Sequence, residues 1–518
     1  MQNKKPYYIS TAIAYASAIP HIGNVYEAIL ADAIARFKRL DGYDVYFQTG
    51  TDEHGLKIET KAKAQDMDPQ TYVNQIRDEI KRIYSLVDIS YDKFVKTTDD
   101  THKKSVQKIF DKLLEQDDIY LGTYQGWYSV SEESYVQEKD IVDGKGPQGD
   151  TLIWTEEEVY FFRMSKYQDQ LLKHIQDHPT FISPESRKNE MIQNFLSEPL
   201  PDLSISRTSF KWGIPVLNNP DHVIYVWMDA LSNYITGLGY HPDTSSKEMD
   251  IFWPADVHLI GKDILRFHTI YWPIFLMALG LPLPKQVFGH PWILVNKGKM
   301  SKSVGNVMYV DELLSYFKKD VIRYYVLHEI PYAQDGNMTY ELIIERNNSD
   351  LANTIGNLVN RSIGMAMKYR DGRISYQPST LESSDALKDS AVGALSKIRL
   401  LMDDLKVADA LEVVVELARQ ANKYIDLTEP FKVFKEDPQS NIIDEILYHL
   451  IETSRFIAVL LTPFIPDTSQ RILELIQATK NTFDSLQSFD GTQTIQLTKP
   501  EVLFERFDFD KKLEEIIG

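Results

Sequence analysis

Pro6-Tyr7-Tyr8-Ile9-Ser10-Thr11-Ala12-Ile13 reads as a buried strand leading into a loop, and from Ile22 a helix follows. Tyr26, Ile29, Leu30, Ala33, Ile34 and Phe37 fall on one face of that helix at three-to-four spacing. The helix is expected to stop near Asp41-Gly42, where glycine supplies the left-handed conformation past a helix end. Val45-Tyr46-Phe47 is then a second short strand, ending at Thr49-Gly50-Thr51-Asp52-Glu53-His54-Gly55. Strand, loop, helix, strand is the opening of a doubly wound α/β sheet, whose ligands sit at the carboxyl ends of the strands.

Outward from that opening the pattern changes twice. From about 118 to 220, glycines and Pro147 break up short strand-like pieces such as Gly126-Trp127-Tyr128-Ser129-Val130 and Thr151-Leu152-Ile153-Trp154, which reads as an α+β insertion. Alternation resumes at Val223-Ile224-Tyr225-Val226-Trp227 and at Val257-His258-Leu259-Ile260, the latter feeding an apolar helix through Leu279. Beyond about 340 the chain is almost wholly helix-like until Thr494-Ile495-Gln496-Leu497. The expected architecture is a split, Rossmann-like α/β domain (1–117 and 221–340), an insertion (118–220), and a helical bundle with a C-terminal tail (341–518).

Bulk properties bound the chemistry. A length of 518 residues calls for several domains, and no run of 18 uncharged apolar residues is present to span a membrane. Zero cysteines removes disulfides, thiolate nucleophiles and cysteine-based zinc knuckles, and the twelve histidines form no HExxH pair. A cytoplasmic chain is expected. The formal charge of −19 argues against broad coating of nucleic acid, but local basic surface is enough for RNA. Arg361 to Arg373 offers such a stretch, and it reads equally as a solvated helix face.

Two short motifs carry phosphate chemistry. In Pro20-His21-Ile22-Gly23-Asn24, the proline fixes the chain before a helix start whose free N–H groups and partial positive charge admit phosphate. His21 and Asn24, one turn apart, can donate hydrogen bonds to phosphate oxygens. Alone, the same residues fit a capped helix with an exposed histidine. Lys299-Met300-Ser301-Lys302-Ser303 lies between glycines, so it reads as a mobile loop, with a new helix starting near Asp311 as N-cap. Two lysines and two hydroxyls there can clamp a triphosphate and neutralise departing pyrophosphate. Walker A and protein-kinase motifs are missing, which leaves acyl-adenylate chemistry for an ATP enzyme with these parts.

In this order the two motifs resemble the ATP-handling signatures of class I aminoacyl-tRNA synthetases. The resemblance extends to the methionyl-tRNA synthetase family through Ala12-Ile13-Ala14-Tyr15, Gly50-Thr51-Asp52-Glu53-His54-Gly55, Val226-Trp227-Met228-Asp229-Ala230-Leu231-Ser232-Asn233-Tyr234, Ile260-Gly261-Lys262-Asp263-Ile264-Leu265-Arg266-Phe267-His268 and Asn353 to Arg361, and it covers nearly the whole chain. It implies that Ile13, Tyr15, Trp227, Ala230, Leu231, Tyr234, Ile264 and His268 line a methionine pocket, with Asp52 on the ammonium. An aromatic wall suits a flexible thioether, and a polar contact to sulfur from Tyr15 or His268 would sharpen selection. For ATP the resemblance implies His21, Asn24, Glu27, Gly261, Asp263, Ile293, Lys299, Ser301 and Lys302, with His21, Asn24, Lys299 and Lys302 as the catalytic group and Mg²⁺ accompanying the nucleotide. Asn357, Arg361 and Phe431 are implied for the anticodon of tRNA(Met). Without the family, Trp227 and Tyr234 read as core, Asp263 as an N-cap and Glu27 as a surface acid.

The chain departs from the family's pattern in places. Serine stands where many members place zinc-binding thiolates, so no zinc is expected and the insertion is expected to fold on its own core. Asn24 replaces histidine, Leu231 stands where proline is common, and Phe431 takes the place of a tryptophan, keeping a stacking face without the indole donor. Three other readings compete. A synthetase for a branched aliphatic amino acid would need a larger editing insertion. A silent RNA-binder would not need Lys299–Ser303, and a small-molecule adenylyltransferase would not need the helical half. No OB-like module follows, and a monomer is expected.

Overall fold

The computed structural model describes residues 4–129, 134–136, 138, 141–146, 149, 151–244, 246–295, 298–300 and 307–518. Contacts divide the chain into two compact units, Met1–Ala31 with Asp44–His290, and Asp32–Tyr43 with Pro291–Gly518. The helix Ile22–Leu40 is shared by both. Gly42, at φ +90°, makes the turn after it as the sequence requires.

The first unit is built on a seven-stranded sheet in which every neighbouring pair is parallel. Pro6–Thr11 lies between Asp44–Asp52 and Val257–Gly261, the last of which pairs with Val287–His290. The second strand is longer than expected. Its final residues Thr51 and Asp52 pair with Ala14–Tyr15, and Lys93–Lys96 pairs with Gln48–Thr51. Burial on both faces of such a sheet explains the near-continuous apolar run at Val257–Gly261.

Two expectations are corrected here. Val223–Trp227 is not one strand: Asn219–Ile224 belongs to a small antiparallel sheet, and Val226–Thr236 is helical. The stretch 118–220 does not fold on its own core. Its antiparallel hairpin Ile119–Ser129 and Leu152–Phe162 sends Ile119 and Phe162 into one apolar cluster with Phe110, Leu231, Trp272, Phe275 and Val287. Ile182–Ser183, from the same stretch, joins the parallel sheet beside Val287–His290. Each fully buried Leu, Ile or Phe there contributes about 1.5–3 kcal/mol, so shared burial outweighs any local reason to separate.

In the second unit Ile293–Val295 pairs with Gly298–Lys299 and Gly336–Asn337. The helix beginning at Val310 is preceded by Tyr309 at its N-cap, so Asp311 lies inside the first turn, not at the cap. There its charge still suits the helix dipole. Glu382–Asp403, Val407–Thr428 and Asn441–Leu461 form the body of a helical bundle. Asn441–Leu461 is buried almost all round, and its interior pair Arg455–Glu452 is satisfied by further partners. Glu452 accepts from the Gly491 and Thr492 amides, and Arg455 donates to the Lys480 and Ser485 carbonyls. The strand signal at Thr494–Gln496 pairs antiparallel with Arg373–Ser375.

Candidate active site

At the start of the Ile22–Leu40 helix, the His21 carbonyl accepts from the Asn24 and Val25 amides at 2.9 and 3.1 Å. The Gly23 amide donates to His21 Nδ1 at 3.1 Å, which leaves the ring proton on Nε2 as a donor. Asn24 is exposed, and its Oδ1 accepts from the His21 amide at 3.2 Å. Glu27, one turn further on, bonds His290 Nε2 at 2.9 Å. Burial pushes the Glu27 carboxyl up, the His290 bond opposes this, and Asp263 nearby adds to the rise.

His290 faces Gly261 across adjacent strands. A Cβ on Gly261 would meet Asp263 Oδ1 at 2.6 Å and come within 3.8 Å of His290 Nε2. Gly261 therefore lets the chain turn tightly from its strand into Lys262–Ile264, with Asp263 exposed at the carboxyl edge of the sheet. His21, Glu27, Gly261 and Asp263 thus lie in the first unit. Ile293 is buried in a strand of the second unit, and Lys299 is in the strand that pairs with it. Ser301 and Lys302 lie outside the described residues.

The residues read as a methionine pocket come from several elements of the first unit. Tyr15 pairs in register with Asp52 at the end of its strand, and Ile13 immediately precedes Ala14–Tyr15. Trp227, Ala230, Leu231 and Tyr234 share the Val226–Thr236 helix, which is tied to the sheet by polar bonds. Gln48 Nε2 donates to Asn233 Oδ1 at 2.9 Å, and the Tyr8 hydroxyl to the Tyr234 carbonyl at 2.8 Å. Ile264 and His268 follow the Gly261 turn, His268 in the π-helical segment Phe267–Tyr271. Trp227 stacks on Phe267 with ring centres 3.7 Å apart and 7° between planes, and stands edge-on to His268.

His268 is fully committed. Its Nδ1 lies 3.0 Å from the Ile264 carbonyl, which only accepts, so Nδ1 carries the proton. Nε2 then accepts from the Tyr234 hydroxyl at 2.7 Å. Burial pushes the imidazole down to about 4, so it is neutral at physiological pH. A neutral His268 has no N–H left for a thioether sulfur, which removes one of the two donors expected from the sequence and leaves Tyr15.

Several residues around these positions are given no part by the sequence: His54, Asp229, His258 and Phe267, which stand in the quoted stretches, and His102 and His290, which stand outside them. His290 holds Glu27, and Phe267 supplies the stacking face for Trp227. His258, whose ring lies 4.1 Å from that of Tyr234, is held by Ser10 Oγ at 2.7 Å. His54 and His102 both bond Asp229.

Comparison with known proteins gives the arrangement its family. The tRNA synthetases class I (M) family matches residues 7–152 and 147–363, and the anticodon binding domain of methionyl tRNA ligase matches 378–515. A methionine–tRNA ligase of Clostridium acetobutylicum is 51% identical over 518 residues, covering 100% of this chain and 80% of that protein. One from Enterococcus faecalis is 45% identical over 531 residues, with 100% and 79% covered. The chain belongs to the methionyl-tRNA synthetase family. Among solved structures, Mycobacterium tuberculosis methionyl-tRNA synthetase in complex with methionyl-adenylate superposes with a TM-score of 0.92 at 43% identity, over 97% of this chain and 100% of that one. The apo form of the same enzyme gives 0.86 at 40% identity, over 98% and 99%.

The helical end of this methionyl-tRNA synthetase family member carries its anticodon candidates on neighbouring helices. Asn357 is exposed in the first turn of Asn357–Arg370, and Arg361 Nη2 lies 3.4 Å from Asp426 Oδ1 near the end of Val407–Thr428. Phe431, half exposed, is in the first turn of the short helix Pro430–Glu436 just beyond, and Leu427, four residues earlier in the chain, is still more exposed. Phe434 of that helix stacks on Tyr369 with ring centres 4.2 Å apart, so the helix bearing Phe431 rests on the one bearing Asn357 and Arg361.

Proposed function

We infer that this chain performs its family's reaction: it activates L-methionine with ATP and transfers the methionyl group to the 3′ end of tRNA(Met), serving initiation and elongation of protein synthesis. Its full-length likeness to methionine–tRNA ligases carries this reading.

In the first step a methionine carboxylate oxygen attacks the α-phosphorus in line, the bond to the β,γ-pyrophosphate breaks, and methionyl-adenylate forms. His21 Nε2–H and Asn24 steady the phosphate oxygens at the helix start, while Lys299 and Lys302 neutralise the departing pyrophosphate and the Ser301 hydroxyl donates to it. Asp263 with Gly261 receives the ribose, Glu27 lines the same end, and Ile293 packs against the base. Asp52 holds the ammonium, and Ile13, Tyr15, Trp227, Ala230, Leu231, Tyr234, Ile264 and His268 enclose the side chain. Mg²⁺ accompanying the nucleotide would add charge neutralisation. Among the described residues no group of three His, Asp or Glu side chains could hold a metal by itself.

In the second step a terminal ribose hydroxyl of tRNA attacks the adenylate carbonyl and AMP leaves. Positioning does most of the work in both steps. Asn357, Arg361 and Phe431 read the anticodon. In this division of labour 1–117 and 221–340 form the catalytic domain, 118–220 the connective insertion and 341–518 the anticodon-binding part. Among the described residues no helix is long and apolar enough to cross a membrane, and we place the chain in the cytoplasm as a monomer.

Charging of a tRNA(Met) transcript with labelled methionine tests the whole reading. Charging that needs ATP and falls sharply when the anticodon is changed is the expected result. Equal charging of unrelated transcripts would overturn the anticodon assignment.

A further inference from the structure

We propose that His54, Asp229 and His102 form a positioning chain for the methionine pocket, fixing the strand end that carries Asp52 against the helix that carries Trp227, Ala230, Leu231 and Tyr234. The proposal rests on the pocket reading above and adds residues to which that reading gives no part.

Asp229 is fully buried, and each of its carboxylate oxygens is taken by a different imidazole. Oδ2 lies 2.6 Å from His54 Nδ1, and Oδ1 lies 2.7 Å from His102 Nε2. Both histidines are themselves buried. A carboxylate only accepts, so His54 carries its proton on Nδ1 and His102 on Nε2. His102 Nδ1 also hydrogen-bonds the Thr236 hydroxyl at 2.7 Å, two turns beyond Asp229 on the same helix. His102 thereby grips the Val226–Thr236 helix at two points.

Placement turns this chain from packing into positioning. His54 stands two residues after Asp52, in the loop that leaves the strand Asp44–Asp52. Asp229 stands two residues after Trp227 and immediately before Ala230. The His54–Asp229 bond therefore sets the gap between the expected ammonium site and the expected pocket wall.

The loop is held on its other side as well. Trp212 Nε1 donates to the Glu53 carbonyl at 2.6 Å, and the Glu53 carboxylate is bound by Thr51, Thr98 and Arg77. Attachment of the helix to the sheet does not require the buried charge, because Gln48–Asn233 and Tyr8–Tyr234 already supply it with neutral groups. Apolar replacement of buried ion pairs is often neutral or stabilising, so stability alone gives little reason for a carboxylate here. What two fixed hydrogen bonds supply is orientation, the quantity that a binding site needs from the residues behind it.

The test is pyrophosphate exchange on the full chain, with methionine and ATP varied separately. The comparison is between His54→Ala and His54→Asn, because the asparagine amide places an N–H close to where Nδ1–H lies. His54→Ala is expected to raise the KM for methionine on the order of tenfold or more, as misplaced contacts do. The KM for ATP should stay within about twofold, and His54→Asn should recover most of the loss. His102→Ala and His102→Gln form the matching pair for the Nε2–H bond should His54→Ala prove insoluble.

Parallel rises in both KM values, an asparagine variant no better than alanine, or a soluble His54→Ala with the wild-type KM for methionine would each overturn the proposal. Asp52→Asn separates the two levels of inference. If it leaves the KM for methionine unchanged, the pocket reading falls and this proposal with it. If it raises that KM while the histidine variants do not, only the positioning chain falls.

Discussion

His268 shows how two hydrogen bonds decide the chemistry of a side chain. With Nδ1–H on the Ile264 carbonyl and Nε2 receiving the Tyr234 hydroxyl, the ring is a wall, and it cannot donate to sulfur. Its depressed value, about 4 against an ordinary 6.5, makes the unfolded chain the better proton binder between those pH values. The stability this neutral histidine allows is fully present above pH 6.5 and is lost progressively as pH falls toward 4. Imidazole NMR signals of His268 should therefore not titrate between pH 6 and 8, and a midpoint near 6.5 would refute the buried, neutral assignment. Of the two residues expected to donate to a thioether, only Tyr15 keeps a hydroxyl for that proposed role. Tyr15→Phe is predicted to narrow the preference for methionine over norleucine by about three- to tenfold, the size of one neutral hydrogen bond. An unchanged ratio of kcat/KM values would remove Tyr15 from that role.

Gly50 makes the argument at the level of the strand. It sits where Asp44–Asp52 and Lys93–Lys96 run side by side, and a Cβ there would run into the Val95 carbonyl oxygen and side chain. Backbone cannot step aside as a flexible side chain can. Gly50→Ala is predicted to cost about 2–4 kcal/mol and to lower the thermal midpoint of the unit that contains it, measured by circular dichroism. A wild-type midpoint would mean that the two strands can separate without loss.

The same scale explains what could be read in advance. The opening strand and the Ile22–Leu40 helix were legible because their apolar spacing is local. The second strand's pairing partners were not, nor was the place of Ile182–Ser183 in the parallel sheet, because a two-residue strand has no period and its partners are distant in sequence. Val223–Trp227 misled because a buried strand and the first turn of a buried helix are equally apolar. Most of the candidate site positions were legible as motifs. The His54–Asp229–His102 chain was not, since its bonds span 175 and 127 positions.

Over the whole molecule, the residues proposed for adenylation and those proposed for the anticodon lie far apart in the chain, so the two activities are expected to be damaged independently. Phe431→Ala removes the face proposed to stack on an anticodon base, a contact worth about 1–3 kcal/mol, and should raise the KM for tRNA(Met) accordingly, leaving methionine-dependent pyrophosphate exchange intact. Loss of exchange in that variant would mean that Phe431 serves the fold. The central claim, that this chain selects methionine and adenylates it, is tested most directly by exchange of labelled pyrophosphate into ATP with each of the twenty amino acids in turn. Exchange with methionine alone is the predicted result. Exchange with a different amino acid, or with none, would contradict it.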